Sequence, residues 1–118
     1  MALGLKRKMI RDGIAQVRID EAGRLCVVPA SSSFPYIYRE AMEVHWDNEG
    51  RFLYSPKPRE WSYVRWFQQI LAAAKEQACV LEVTSATEWS AVPGGLRAEL
   101  ERCAQQCVQE ATRETRAP

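Results

Sequence analysis

The fold is decided by residues 34–67, FPYIYREAMEVHWDNEGRFLYSPKPREWSYVRWF. Residues 42–47 alternate apolar and polar side chains, which is the two-residue period of a strand with one buried face. Asn-Glu-Gly at 48–50 then turns the chain, and residues 51–54 return as the second strand of a hairpin. The prolines at 56 and 58 end the sheet. Pro58 suits the first position of a helix, where its missing N–H costs nothing.

Toward the N-terminus the same alternation recurs at residues 14–19, and residues 24–28 read as the hairpin partner of that strand. Pro29 ends the second strand because it has no N–H to donate to a sheet. The preceding residues 1–12 are basic, and we expect them to form a loosely ordered arm. Two hairpins in succession predict one antiparallel sheet with one covered face.

Toward the C-terminus the apolar period changes to that of a helix packed on a core. The first helix carries this stripe on Trp61, Val64, Phe67, Leu71, Ala74 and Ala78, widened by Trp66, Ile70 and Ala73. Residues 79–84 read as a strand, Ser85-x-x-Glu88 as a capping box, and residues 96–114 as the last helix. We therefore predict a single α+β domain over residues 1–118. Its order is ββββαβα, in two layers with a mostly antiparallel sheet and both helices on one face, and residues 115–118 form a loose tail.

Composition excludes several classes of protein. The net charge of +1 gives no bulk attraction for polyanions. No apolar run approaches the roughly 20 residues of a membrane span, so we expect a cytoplasmic protein without membrane contact. No GxGxxG or GxxxxGK motif occurs, and we expect no cofactor. In a reducing compartment the four cysteines would be thiols.

The first candidate site is the polar side of the strand at residues 42–47, formed by Glu43, His45 and Asp47. A histidine between two carboxylates has its charged form favoured and can act as an acid or a base. The alternative is that these side chains are the solvated face that any half-buried strand requires. We favour the alternative and assign no catalytic residue.

The cysteines offer a second candidate. Cys103 and Cys107 share one helix face, a spacing that two ligands of one ion can use. Both also lie on the apolar stripe of the last helix, and a reduced cysteine packs as a small hydrophobic residue. We therefore favour core packing and predict no metal site.

The third candidate is the aromatic segment itself, which holds ten of the eleven aromatic residues of the chain. Tyrosine and tryptophan need partners for their polar atoms when buried, so they suit pocket walls and interfaces. Tyr36, Tyr38, Tyr54 and Trp66 are the rings least required by a core, and we predict that they bind a ligand or partner. The competing interpretation is an aromatic-rich core between sheet and helix.

The blocks FPYIYREAMEVHWD at 34–47 and PKPREWSYVRWFQQI at 56–70 resemble small uncharacterised bacterial proteins, including those on mobile integron gene cassettes. The similarity covers about residues 14–93. It implies a compact α+β protein that forms a dimer and has an accessory function, and it carries no site residues over.

Three functions remain open at this stage. We favour a non-enzymatic module that binds a protein partner and itself through the aromatic segment and the last helix, forming a homodimer. The second hypothesis is a small-molecule-binding protein or enzyme with an aromatic-lined pocket around His45. The third is single-stranded nucleic acid binding, which the interleaved arginines favour and the acidic residues among them oppose.

Overall fold

The computed structural model describes residues 10–34, 37, 43–55 and 62–116. Six strands and two helices follow one another in the order ββββαββα. They are β1 (Ile10–Ile19), β2 (Leu25–Pro29), β3 (His45–Asp47), β4 (Phe52–Tyr54), α1 (Tyr63–Glu76), β5 (Cys79–Glu82), β6 (Glu88–Ser90) and α2 (Gly94–Arg116). Of the expected basic arm at residues 1–12, only residues 10–12 are described, and they belong to β1. The predicted beginning of the first helix at Pro58 lies outside the described residues.

The strands form one mostly antiparallel sheet in the order β3-β4-β2-β1-β5, with β6 also paired to β1. The β1–β2, β2–β4 and β3–β4 pairs are antiparallel, whereas β5 and β6 run parallel to β1. The α+β class and its mostly antiparallel sheet are therefore confirmed.

The sixth strand corrects the prediction of a capping box at Ser85-x-x-Glu88, because Glu88 opens β6 and not a helix. The cause lies in Thr87, whose hydroxyl donates a 2.6 Å hydrogen bond to the carbonyl of Ile14 on β1. Thr87 also accepts a 2.9 Å hydrogen bond from the N–H of Thr84. These bonds hold the β5–β6 connection against β1, so the chain resumes pairing with the same strand.

The core lies between one face of the sheet and the two helices. The sheet contributes Val17, Val27 and Leu53, each 0% exposed and paired across β1, β2 and β4. Helix α1 begins at Tyr63, where the Ser62 hydroxyl caps it by accepting from the N–H of Arg65 at 3.2 Å. Its buried side chains are Trp66, Phe67, Ile70, Leu71, Ala73 and Ala74.

Helix α2 buries a narrower stripe than α1 does. Leu100 and Ala104 are almost wholly buried, whereas Leu96, Cys103 and Cys107 are only partly covered. Neither helix, over the residues that the structure describes, has the length and apolar character needed to cross a bilayer.

A buried carboxylate fastens the segment after β2 to β1. Asp12 is 8% exposed and accepts hydrogen bonds from the N–H of Ser31 at 3.2 Å, the N–H of Ser32 at 2.9 Å and the Ser31 hydroxyl at 3.0 Å. Burial alone would raise the pKa of Asp12, but these hydrogen bonds outweigh it and lower the pKa below its ordinary value. The ionised form of Asp12 therefore stabilises the fold.

We expect Asp12→Asn to lower the free energy of unfolding by about 1–3 kcal/mol at neutral pH, because the buried N–H groups lose a charged acceptor. The lowered pKa means that Asp12 stabilises the wild type above the ordinary aspartate value of about 3.9. That contribution disappears as the pH falls through the folded-state pKa. Urea denaturation at neutral and acidic pH measures both effects.

The variant should lose less stability on acidification than the wild type does. Some loss should remain in the variant, because Asp20 also has a lowered pKa. Equal acid sensitivity of wild type and variant would show that Asp12 does not make this contribution.

Candidate functional site

The face of the sheet opposite the helices carries a row of paired side chains. Arg18 on β1 pairs with Cys26 on β2, Cys26 with Tyr54 on β4, and Tyr54 with His45 on β3. Directly paired residues project from the same face of a sheet, and their neighbours along each strand project from the other. Since Val17, Val27 and Leu53 point into the core, this row points away from it.

Two arginines lie over two aromatic rings on this face. The guanidinium carbon of Arg18 is 4.6 Å from the ring centre of Phe52, and that of Arg24 is 4.6 Å from the ring centre of Tyr54. His45 stacks on Tyr54 with ring centres 5.2 Å apart, and Phe52 is 5.7 Å from Tyr54. We call Arg18, Arg24, His45, Phe52 and Tyr54 the aromatic–arginine patch.

Both arginines are held in place by neighbours on β1 or in the turn after it. Gln16 accepts a 2.8 Å hydrogen bond from the guanidinium of Arg18. Asp20 accepts 2.8 Å hydrogen bonds from the backbone N–H and from Nε of Arg24. Burial raises the pKa of Asp20, but the hydrogen bonds and charge of Arg24 outweigh it and hold the pKa below its ordinary value. Asp20 is thus ionised at neutral pH and keeps Arg24 over Tyr54.

Gly50 allows the Phe52 ring its position beside the β3–β4 turn. A Cβ at Gly50 would overlap that ring, with the Cδ2 atom of Phe52 only 2.7 Å away. Phe52 is 8% exposed beneath Arg18. A glycine is therefore needed here for close approach of backbone and ring.

Cys26 lies beneath the patch and is 0% exposed. Burial first, and the nearby carboxylate of Asp20 second, raise the pKa of its thiol to about 11. The thiol is therefore protonated at neutral pH, which makes it a poor nucleophile and metal ligand. Among the described residues no group of three or more histidine, cysteine, aspartate or glutamate side chains is placed to hold a metal ion.

The structure separates the three residues of the predicted acid–base candidate. Glu43 lies in a turn with φ of 54°, ahead of β3, so the prediction of one regular strand through Glu43, His45 and Asp47 is wrong. Asp47 closes the β3–β4 turn by accepting from the N–H groups of Glu49 and Gly50 at 3.0 and 2.9 Å. Of the three, only His45 belongs to the patch, where it is exposed and contacts Tyr54.

The predicted binding rings also divide. Tyr54 is at the centre of the patch, whereas Trp66 is 6% exposed within the core, where a partner has little of it to contact. Tyr36 and Tyr38 lie outside the described residues. Arg18, Arg24 and Phe52 were not among the predicted site residues. For Arg18 the signal was its polar position in the alternation of β1, but the sequence does not show which ring either arginine contacts.

Two clefts adjoin the β5–β6 connection. One of about 450 Å³ separates the β5–β6 connection from α2, and one of about 470 Å³ lies where β1 passes from β5 to β6. His45 and Tyr54 line neither of them. The hypothesis of a small-molecule pocket around His45 therefore gains nothing from these two clefts.

Comparison with known proteins gives a family match. The sequence model of a family described as Integron Cassette Protein Hfx_Cass5 matches residues 12–87. A solved structure from the mobile metagenome of the North West Arm sewage outfall, of Integron Cassette Protein Hfx_Cass5, is 52% identical over 82% of this chain and 98% of that chain, with a TM-score of 0.41. No curated protein matches the chain. The resemblance carried by the two aromatic blocks is confirmed.

The burial of Cys26 beneath the patch predicts how the cysteines react. With N-ethylmaleimide at neutral pH, we expect Cys103 and Cys107 to be labelled first. Cys26 and Cys79 should be labelled only on unfolding, because burial raises the pKa of their thiols. Mass spectrometry of the labelled peptides gives the order. Tyr54→Ala should speed labelling of Cys26 and leave Cys79 unchanged. Unchanged protection of Cys26 in this variant would show that Tyr54 does not cover it.

Proposed function

The chain belongs to the Hfx_Cass5 family of integron cassette proteins, and we propose that it is a non-enzymatic protein-interaction module that self-associates through the aromatic–arginine patch. The observation that carries the proposal is the pair of arginine-covered rings on the sheet face opposite the helices. Arginine and tyrosine are enriched among the residues that contribute most to protein interfaces.

The patch is organised before any partner arrives. Gln16 orients Arg18, Asp20 orients Arg24, and the ring of Tyr54 is held between cross-strand neighbours. Long side chains lose conformational entropy when an interface orders them, and this cost falls when they are already ordered. Preorganisation therefore supports binding of a protein surface by this face.

The charges in and around the patch favour a second copy of the chain as its binding partner. The patch presents Arg18 and Arg24, and the exposed acids Glu21 and Glu49 stand in the turns at its two ends. A two-fold interface brings the same surface of both copies together. A surface with charges of one sign would repel its copy, whereas a surface with both signs can place positive groups of one copy against negative groups of the other. The net charge of +1 adds little repulsion between copies.

The same contacts oppose nucleic acid as the ligand. Single-stranded nucleic acid binds to sheets by stacking its bases on aromatic faces. Arg24 and His45 already lie against Tyr54, and Arg18 lies over Phe52. A base would have to displace one of these side chains, whereas a protein partner can contact the guanidinium groups and ring edges as they are.

Light scattering coupled to size exclusion tests the proposal over a dilution series. We expect a wild-type dimer, and we expect Arg18→Glu to raise the dissociation constant roughly thirtyfold, since an interface residue of this kind contributes about 2 kcal/mol. The matched control is Arg97→Ala on α2, which removes another arginine lying over an aromatic ring, 5.1 Å from the ring centre of Trp89.

The control should dimerise as the wild type does. A wild type that stays monomeric at the highest concentration refutes self-association. A wild-type dimer that Arg18→Glu leaves intact, with circular dichroism unchanged, places the interface on another face and refutes the role of the patch.

A further inference from the structure

The groove between the two helices brings together two cysteines that the core does not enclose. A cleft of about 310 Å³ is lined by Cys103 and Cys107 of α2 together with Gln68 and Lys75 of α1. Both cysteines pack against the core, as their place on the apolar stripe predicts, but each is only partly buried. The amide of Gln68 lies 3.6 Å from Sγ of Cys103. Both cysteines therefore border one cleft that opens between the helices.

The spacing of the two thiols favours a bridging ion over a disulfide. Residues four apart on a helix have Cβ atoms about 5–6 Å apart. A disulfide needs Cβ atoms roughly 3.5–4.5 Å apart, so a direct bond would distort α2. An ion placed between the two sulfurs spans the wider gap without moving the backbone.

The number and type of ligands in the cleft determine which class of ion it can bind. Structural zinc takes four ligands, and iron–sulfur clusters are held by four cysteines. The described residues provide no group of three or more histidine, cysteine, aspartate or glutamate side chains that could hold a metal ion. Soft thiolates favour copper(I), which accepts two sulfur ligands in a linear arrangement. From this geometry we propose that Cys103 and Cys107 form a two-thiolate site for copper(I).

The remaining cysteines do not compete for the ion. Cys26 and Cys79 are 0% and 3% exposed, and burial raises the pKa of both thiols. A copper ion would have to enter the core to reach either one. The groove pair is therefore the accessible thiol site among the four cysteines.

Binding at this site is an exchange of protons for the ion and involves no change of oxidation state. Each thiol releases one proton, two sulfur–copper bonds form, and the bound unit carries one negative charge. The ammonium of Lys75 and the amide N–H of Gln68 line the cleft and favour that charge, whereas the carboxylate of Glu110, which also lines it, opposes it. The two positive or donating groups lie on the opposite helix, so the site needs both helices in place.

Competition with bicinchoninate, a coloured copper(I) chelator, tests the proposal on the full chain under anaerobic conditions. We expect the wild type to remove one equivalent of copper(I) from the chelator and to gain thiolate-to-copper absorption in the ultraviolet. Cys103→Ala and Cys107→Ala should each weaken competition on the order of 100-fold or more, because the second ligand on the same helix acts at high effective concentration. Gln109→Ala, an exposed substitution on α2, is the control and should bind as the wild type does.

Alanine is chosen because it favours helix, and circular dichroism checks that each variant remains folded. The double variant Cys103→Ala/Cys107→Ala still contains Cys26 and Cys79. If it binds copper(I) as well as the wild type does, the proposed site is refuted. Failure of the wild type to compete also refutes it. Retention of one zinc ion per chain after desalting refutes the two-coordinate assignment, because zinc would require further ligands.

Discussion

The register of β1, β2 and β4 is the constraint on which the rest of the molecule depends. Pairing Val17 with Val27, and Val27 with Leu53, puts three wholly buried side chains in one row against the helices. Because side chains alternate between faces, the same register puts Arg18, Cys26 and Tyr54 in a row on the other face. A slip of one residue would exchange the two rows and bury an arginine. Core packing thus also assembles the aromatic–arginine patch.

The two proposed sites lie on different layers and depend on different kinds of order. The patch is built on the sheet, where cross-strand neighbours and the Asp20–Arg24 ion pair hold the side chains. The thiol groove lies between α1 and α2, where α2 buries only a narrow stripe and leaves Cys103 and Cys107 at its border. An interaction surface and an ion site can therefore coexist in one small domain without sharing residues.

Local patterns were sufficient for most of the elements and insufficient for the site. Alternation over 14–19 and the turn at 48–50 correctly predicted the two hairpins, because turn chemistry and period act over few residues. The contact of His45 with Tyr54 depends on the register of the β3–β4 hairpin. The turn sets this register, and the alternation of apolar and polar residues does not reveal it. Arg24 and Tyr54 lie in different hairpins, and no local rule joins them. Trp66 is predicted to bind a ligand or partner although it also widens the apolar stripe of its helix, and the structure buries it in the core.

The sequence by itself determined the α+β class, the first five strands, the two helices and the family, since these follow from periodicity, turn residues and the two aromatic blocks. Only the tertiary structure decided that β6 joins β1, that Glu43 leaves the strand of His45, and that the two arginines cover Phe52 and Tyr54. These outcomes depend on contacts between residues far apart in the chain. Such contacts are selected by the fit of the whole core, and local preference does not encode them.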